Sequence, residues 1–197
     1  MKSKTPFRAP SLLVVLASIA LGACGRSAPP ATPELKAAIA DLEKAVAAAK
    51  TEVQRLKDVD ELENLAGVYG HYVDKNRHDD VADLFAPDAV VEIYGRGAFL
   101  GQDRVREYMH NLSPGSVGPR DGSLFNHMHL QTVIDVQPDG KTAFVRSRPF
   151  IMFGIMNTNA QWGVGVYENT FVKQDGVWKL SYLHGYYTMY TNYEDGW

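Results

Sequence analysis

The chain has 197 residues, 20 basic and 23 acidic side chains, a formal net charge of −3 and a single cysteine. No basic stripe runs through it, which argues against a nucleic-acid binder, and one cysteine excludes an intrachain disulfide. The start reads as an export leader: Lys2, Lys4 and Arg8 precede an apolar run, Ser11 to Leu21, too short to span a bilayer stably. Leu21-Gly22-Ala23-Cys24 then matches the bacterial lipobox, which is cut before a cysteine that becomes lipid-modified. On this reading residues 1–23 are a signal peptide and Cys24 is acylated, so the protein is anchored to a membrane of the bacterial cell envelope by lipid rather than by a helix. The other reading is a plain secretory signal that happens to hold a cysteine. Losing Lys2, Lys4 and Arg8 with the leader moves the net charge from −3 to −6.

Residues 24–33 are rich in proline and polar side chains, a flexible tether. Glu34 to Lys57 is different: alanine, lysine and glutamate dominate, and glycine and proline are absent. Ile39, Val46 and Val53 at heptad position a leave Leu35, Leu42, Ala49 and Leu56 at d, the pattern of a parallel two-stranded coiled coil. The alternative is a helix that folds back on its own domain. From Val59 the heptad phase breaks, and a globular domain is expected over 59–197. Leu62, Leu65, Tyr69 and Tyr72 recur at helical spacing, as do Val81, Leu84 and Phe85, with Asn76 as a left-handed helix end between them. A strand is expected from Ala89 to Tyr94, a turn at Gly95-Arg96-Gly97, and a helix from Gly101 to Asn111. Four strands close the chain: Asn126 to Val136, Thr142 to Phe153, Val164 to Lys173 and Trp178 to Tyr187. Pro138-Asp139-Gly140 and Gln174-Asp175-Gly176 turn between them. Helices followed by a strand meander make an α+β domain, with helices packed on one curved antiparallel sheet.

In this order the chain from Val59 to Trp197 resembles the SnoaL-like branch of the nuclear transport factor 2-like superfamily. The residues that carry the likeness are VYGHYVDKNRHDDVADLF around Tyr69 and Asp74, then EIYGRGAFLGQDRVREYM from Glu92 to Met109. Phe125 to Arg148 and Tyr167 to His184 complete it. The resemblance implies a cone-like sheet around an apolar cavity, a hydrophobic small-molecule ligand, no cofactor, no metal and a homodimer. The same fold serves cyclases, dehydratases, isomerases and non-catalytic binders, so it says little about activity.

Dehydratases among the relatives use a tyrosine and an aspartate of the first helix with a histidine from the sheet. By position these are Tyr69, Asp74 and His127. In that scheme His127 is the base, Tyr69 polarises a carbonyl, and Asp74 orients the histidine or acts with it. Asp74 lies about 140° around an ideal helix from Tyr69, so both reach one cavity only if the helix ends or bends at Asp74. Strand alternation puts His127 and His129 on one face, and Trp178, Tyr182 and His184 on one face of the last strand. If those faces line the cone, His129, His184, Tyr182 and Trp178 are substrate-binding residues. The ordinary alternative for the histidines is a place at the sheet rim or over the core. Arg146 and Arg148 bind an acidic substrate if they point inward, though arginines on a sheet are more often solvated. Two functions remain open. One is a cofactor-independent dehydratase or isomerase for a hydrophobic hydroxy-carbonyl compound. The other is a non-catalytic ligand-binding or scaffolding lipoprotein of the cell envelope.

Overall fold

The computed structural model describes residues 32–112, 115 and 117–193. The expected leader, Cys24, nearly all of the tether and residues 194–197 lie outside the described residues. Internal contacts divide the chain into two compact units, one ending at Leu42 and the other running from Glu43 to Trp197. Helix α1 spans Pro33–Asp74. Its start is set by Thr32, whose Oγ1 accepts the Leu35 N–H at 3.3 Å, and by Pro33, whose fixed φ suits a first helical position. The heptad phase ends near Val59 without a break in the helix. Val46, Val53 and Leu56 stay exposed, so this part of the seam is not packed against its own domain. Further along, Leu62, Ala66, Tyr69 and Val73 form a buried stripe at helical spacing. The helix ends where expected: Asn76 has φ 53°, and Asn76 and Arg77 donate back to the carbonyls of Val73 and Tyr72.

Helix α2, His78–Asp83, is shorter than the spacing of Val81, Leu84 and Phe85 suggested, because Phe85 already opens strand β1, Phe85–Ile93. Strand β2, Gly97–Leu100, was not anticipated; it pairs with β1 across the Gly95-Arg96-Gly97 turn. Helix α3 covers Gln102–Leu112. Strands β3 (Ser123–Val136), β4 (Thr142–Ile155), β5 (Asn159–Gln174) and β6 (Val177–Asn192) are longer than expected. The six strands run in the order β2-β1-β6-β5-β4-β3. The α+β class and the curved sheet hold, with one difference. β1 pairs with β6 in parallel, and the other pairs are antiparallel. β1 and β6 are joined by most of the domain, so no tight turn forces them antiparallel.

Four register shifts interrupt the sheet; one lies between β1 and β6 at the Phe85/Val90 step, and the other three each add one residue to a strand. β3 gains a residue between Leu130 and Val133, with Gln131 at φ 52°. β6 gains Ser181 opposite the Thr170/Phe171 step and Thr188 opposite the Val164/Gly165 step. An extra residue bends its strand and reverses which side chains face inward beyond it. Phe85, Val91, Val105, Met109, Phe171, Leu180 and Leu183 fill the core between the helices and this inner face. At the far end of the core Asp58, only 2% exposed, pairs with Lys173 and accepts from Trp178 Nε1 at 3.2 Å and from Gln54 at 3.1 Å. No described helix is long and apolar enough to cross a membrane.

Candidate functional site

The site starts from a glycine. A Cβ on Gly70 would sit 2.4 Å from the carbonyl oxygen of His127, so only glycine lets α1 lie this close to β3. One turn later Asp74 reaches the same strand, and its Oδ1 accepts the His127 backbone N–H at 2.6 Å. The helix terminates at Asp74, which resolves the angular mismatch with Tyr69. Both residues line one cavity of about 380 Å³. Val73, Ile93, Leu112, Phe125, Ile151 and Phe153 supply its apolar walls, and His127 and Tyr167 lie in the same lining.

The structure therefore brings Tyr69, Asp74 and His127 together, but with different pairings from those expected. Asp74 meets His127 through the backbone, so it does not orient the imidazole. The ring's Nε2 instead lies 3.0 Å from the Tyr167 hydroxyl, and the two rings stack with centroids 5.8 Å apart. The other ring neighbours are Tyr69, edge-on at 5.8 Å, and His129, stacked at 5.3 Å. Burial pushes the His127 pKa down to about 3, helped by the charges of His129 and Arg96. An imidazole that stays neutral to that acidity is a weak base. Asp74 moves the other way: burial raises its carboxyl above the ordinary range, and the His127 N–H opposes this only in part. Its Oδ2 makes no hydrogen bond among the described residues. Burial also raises the phenols of Tyr69 and Tyr167, so both stay protonated and able to donate.

The remaining expected residues sit elsewhere. His129 lies behind His127 and outside the cavity lining, its Nδ1 3.2 Å from Ser147 Oγ and its Nε2 buried without a partner. Burial holds its pKa near 4. Trp178 faces inward but belongs to the Asp58 cluster, not to the cavity. Tyr182 and His184 fall on the opposite face, because the extra Ser181 reverses the alternation after Leu180. There the Tyr182 hydroxyl donates to Glu92 at 2.6 Å, and its ring stacks on His184. Arg146 pairs with Glu168 on that outer face, and Arg148 is exposed. Among the described residues no group of three or more His, Cys, Asp or Glu side chains is arranged to hold a metal.

Two cavity residues escaped the reading of the sequence. Tyr167 was placed within the family likeness but given no role. An inward strand tyrosine looks like any core aromatic until its partner, 40 residues away, is known. Arg96 was read only as part of a turn; Gly95 and Gly97 flank it with φ 75° and 106°, which was the available signal.

A search of curated proteins finds no significant match. Solved structures do match in fold. A protein of Novosphingobium aromaticivorans DSM 12444, provisionally named a scytalone dehydratase, is 23% identical with a TM-score of 0.63, over 72% of this chain and 91% of that one. The hexachlorocyclohexane dehydrochlorinase LinA-type3 of Novosphingobium barchaimii LL02 is 19% identical with a TM-score of 0.62, over 72% and 94%. At such identities the likeness concerns the fold. Residues 54–184 match the family model described as SnoaL-like domain, and they contain the cavity's helix, sheet and polar cluster; the chain belongs to that family.

Proposed function

We propose that the protein is a cofactor-independent dehydratase or isomerase acting on a hydrophobic hydroxy-carbonyl compound. The observation that carries this reading is the meeting of Asp74, Tyr69 and the His127–Tyr167 pair on the wall of one largely apolar cavity. Asp74 is the base. Its Oδ2 takes the proton from the carbon next to the carbonyl, and its raised pKa makes it a stronger acceptor than an ordinary carboxylate. Tyr69 donates to the carbonyl oxygen as negative charge grows there. The enolate then expels the hydroxyl. The C–O bond breaks, its electrons leave with the oxygen, and the proton held by Asp74 passes to it, so water departs and a C=C bond remains. Returning that proton to a different carbon gives isomerisation instead. His127, neutral, holds Asp74 through its backbone N–H and Tyr167 through its ring. Fold relatives named for dehydration and dehydrochlorination support an elimination of this kind.

Native mass spectrometry of the purified protein, followed by incubation of any released compound with fresh enzyme, tests the reading. The expected result is a product lighter by one water or an isomer of equal mass, with Tyr69→Phe slowing its formation while the variant stays folded. A bound compound that is released unchanged on prolonged incubation would leave the non-catalytic binding reading in its place.

The anchor belongs to the same proposal: lipidation at Cys24 would hold the cavity at the envelope membrane. Cys24→Ser is expected to release the protein from the membrane fraction or to block its processing. Identical fractionation and mature mass for variant and parent would exclude lipidation. The exposed seam of α1 suits self-association with a second copy of the chain.

A further inference from the structure

Arg96 is a cation of the cavity lining that the mechanism above leaves unused. It lies in the turn between β1 and β2, where glycines with positive φ stand on both sides of it and its own N–H donates to the Ile93 carbonyl at 2.9 Å. Side chains other than glycine rarely adopt such φ values, so the two glycines specify the turn that carries Arg96 to the cavity. Arg77, Arg104, Arg106 and Arg146 each pair with a carboxylate. Arg96, although solvent reaches it, makes no ion pair among the described residues. Instead the phenols of Tyr108, Tyr187 and Tyr190 lie close enough to interact electrostatically with its guanidinium, and Tyr108 and Tyr187 line the same cavity.

These phenols are neutral, so they border the guanidinium without neutralising it. Among the described lining residues Asp74 is the only carboxylate, against Arg96 and Arg120. A guanidinium bordered by neutral phenols at the edge of an apolar chamber retains its capacity for a bidentate carboxylate. We propose that Arg96 forms an anion subsite and that the ligand is an amphipathic acid, an apolar body carrying one carboxylate. This rests on the reading of the cavity as a small-molecule site and narrows its substrate class. The carboxylate docks on Arg96 while the apolar body lies along Ile93, Leu112 and Phe153 toward Tyr69 and Asp74. The field of Arg96 extends to His127, whose imidazolium it disfavours.

Titration calorimetry with 2-naphthoate and its neutral isostere 2-naphthamide separates the possibilities. The wild-type protein is expected to bind the acid about tenfold or more tightly than the amide, the order that one charge-assisted hydrogen bond supplies. Arg96→Met should bring the acid down to the affinity of the amide and leave amide binding unchanged, which also shows that the cavity is still folded. Arg96→Lys should keep part of the preference. Equal binding of acid and amide by the wild type overturns the subsite and leaves the cavity reading standing. So does a preference that survives Arg96→Met, or one that is lost in Arg120→Gln instead. Binding of neither probe at millimolar concentration removes the subsite and the small-molecule cavity together.

Discussion

Asp74→Asn is expected to lower turnover of the bound compound by about 10²–10⁴-fold, the range that one positioned general base contributes, without weakening the fold. Asparagine keeps an oxygen to accept the His127 N–H and loses only the capacity to take a proton. The sign of the stability effect follows from linkage. Burial raises the Asp74 pKa in the folded state, so the folded protein binds a proton more tightly than the unfolded chain between the two values. Stability therefore falls as pH rises through that window, and at neutral pH the ionised carboxylate opposes folding. The variant should be as stable as the parent or more so, as happens where activity and stability compete. Turnover of the parent should rise with pH through the raised Asp74 pKa, since only the carboxylate is a base. Thermal unfolding and a pH–rate profile measure both effects. Full activity in Asp74→Asn would eliminate the carboxylate as base.

Asp58, on the same helix, should behave in the opposite way. Asp58→Ala removes one partner of a buried ion pair, leaving Lys173 without its carboxylate and Trp178 Nε1 without its acceptor. The expected loss is about 3–5 kcal/mol, a large part of the roughly 5–15 kcal/mol that holds a typical domain together. In a domain of this size that corresponds to a fall of about 10 °C in Tm. Burial alone would raise the Asp58 pKa, but the hydrogen bonds from Lys173, Trp178 and Gln54 outweigh it and hold the carboxyl below its ordinary value. Its contribution is thus complete above the unfolded carboxylate range and is lost as pH falls through the lowered folded value. Urea unfolding of parent and variant at neutral and acid pH checks this; the difference between them should shrink on acidification. The paired change Asp58→Leu with Lys173→Met should recover much of the loss, because it removes both charges at once. A difference that stays constant with pH would show that packing, rather than the ion pair, is what Asp58 contributes.

These two aspartates mark the boundary between what the residues declare in order and what the fold adds. The end of α1 at Asn76, the hairpin turns at Asp139-Gly140 and Asp175-Gly176, and the α+β order were all legible, because caps, turns and hydrophobic periods depend on neighbours within a few residues. The placing of Tyr69, Asp74 and His127 on one cavity also followed from the family likeness, since it depends on the helix ending at Asp74. Which atoms meet was not legible. A period of two assigns strand faces only while the count is unbroken, and whether Ser181 is an extra residue depends on its partner strand, so Tyr182 and His184 went to the wrong face. The same dependence on distant neighbours hid the Tyr167 contact to the His127 ring, the Asp74 bond to its backbone and the burial that makes its imidazole a poor base. By itself the sequence determined the order of most elements and part of the polar cluster, Tyr69, Asp74 and His127. The tertiary structure alone decided their partners and protonation, because both are properties of what surrounds a side chain in space.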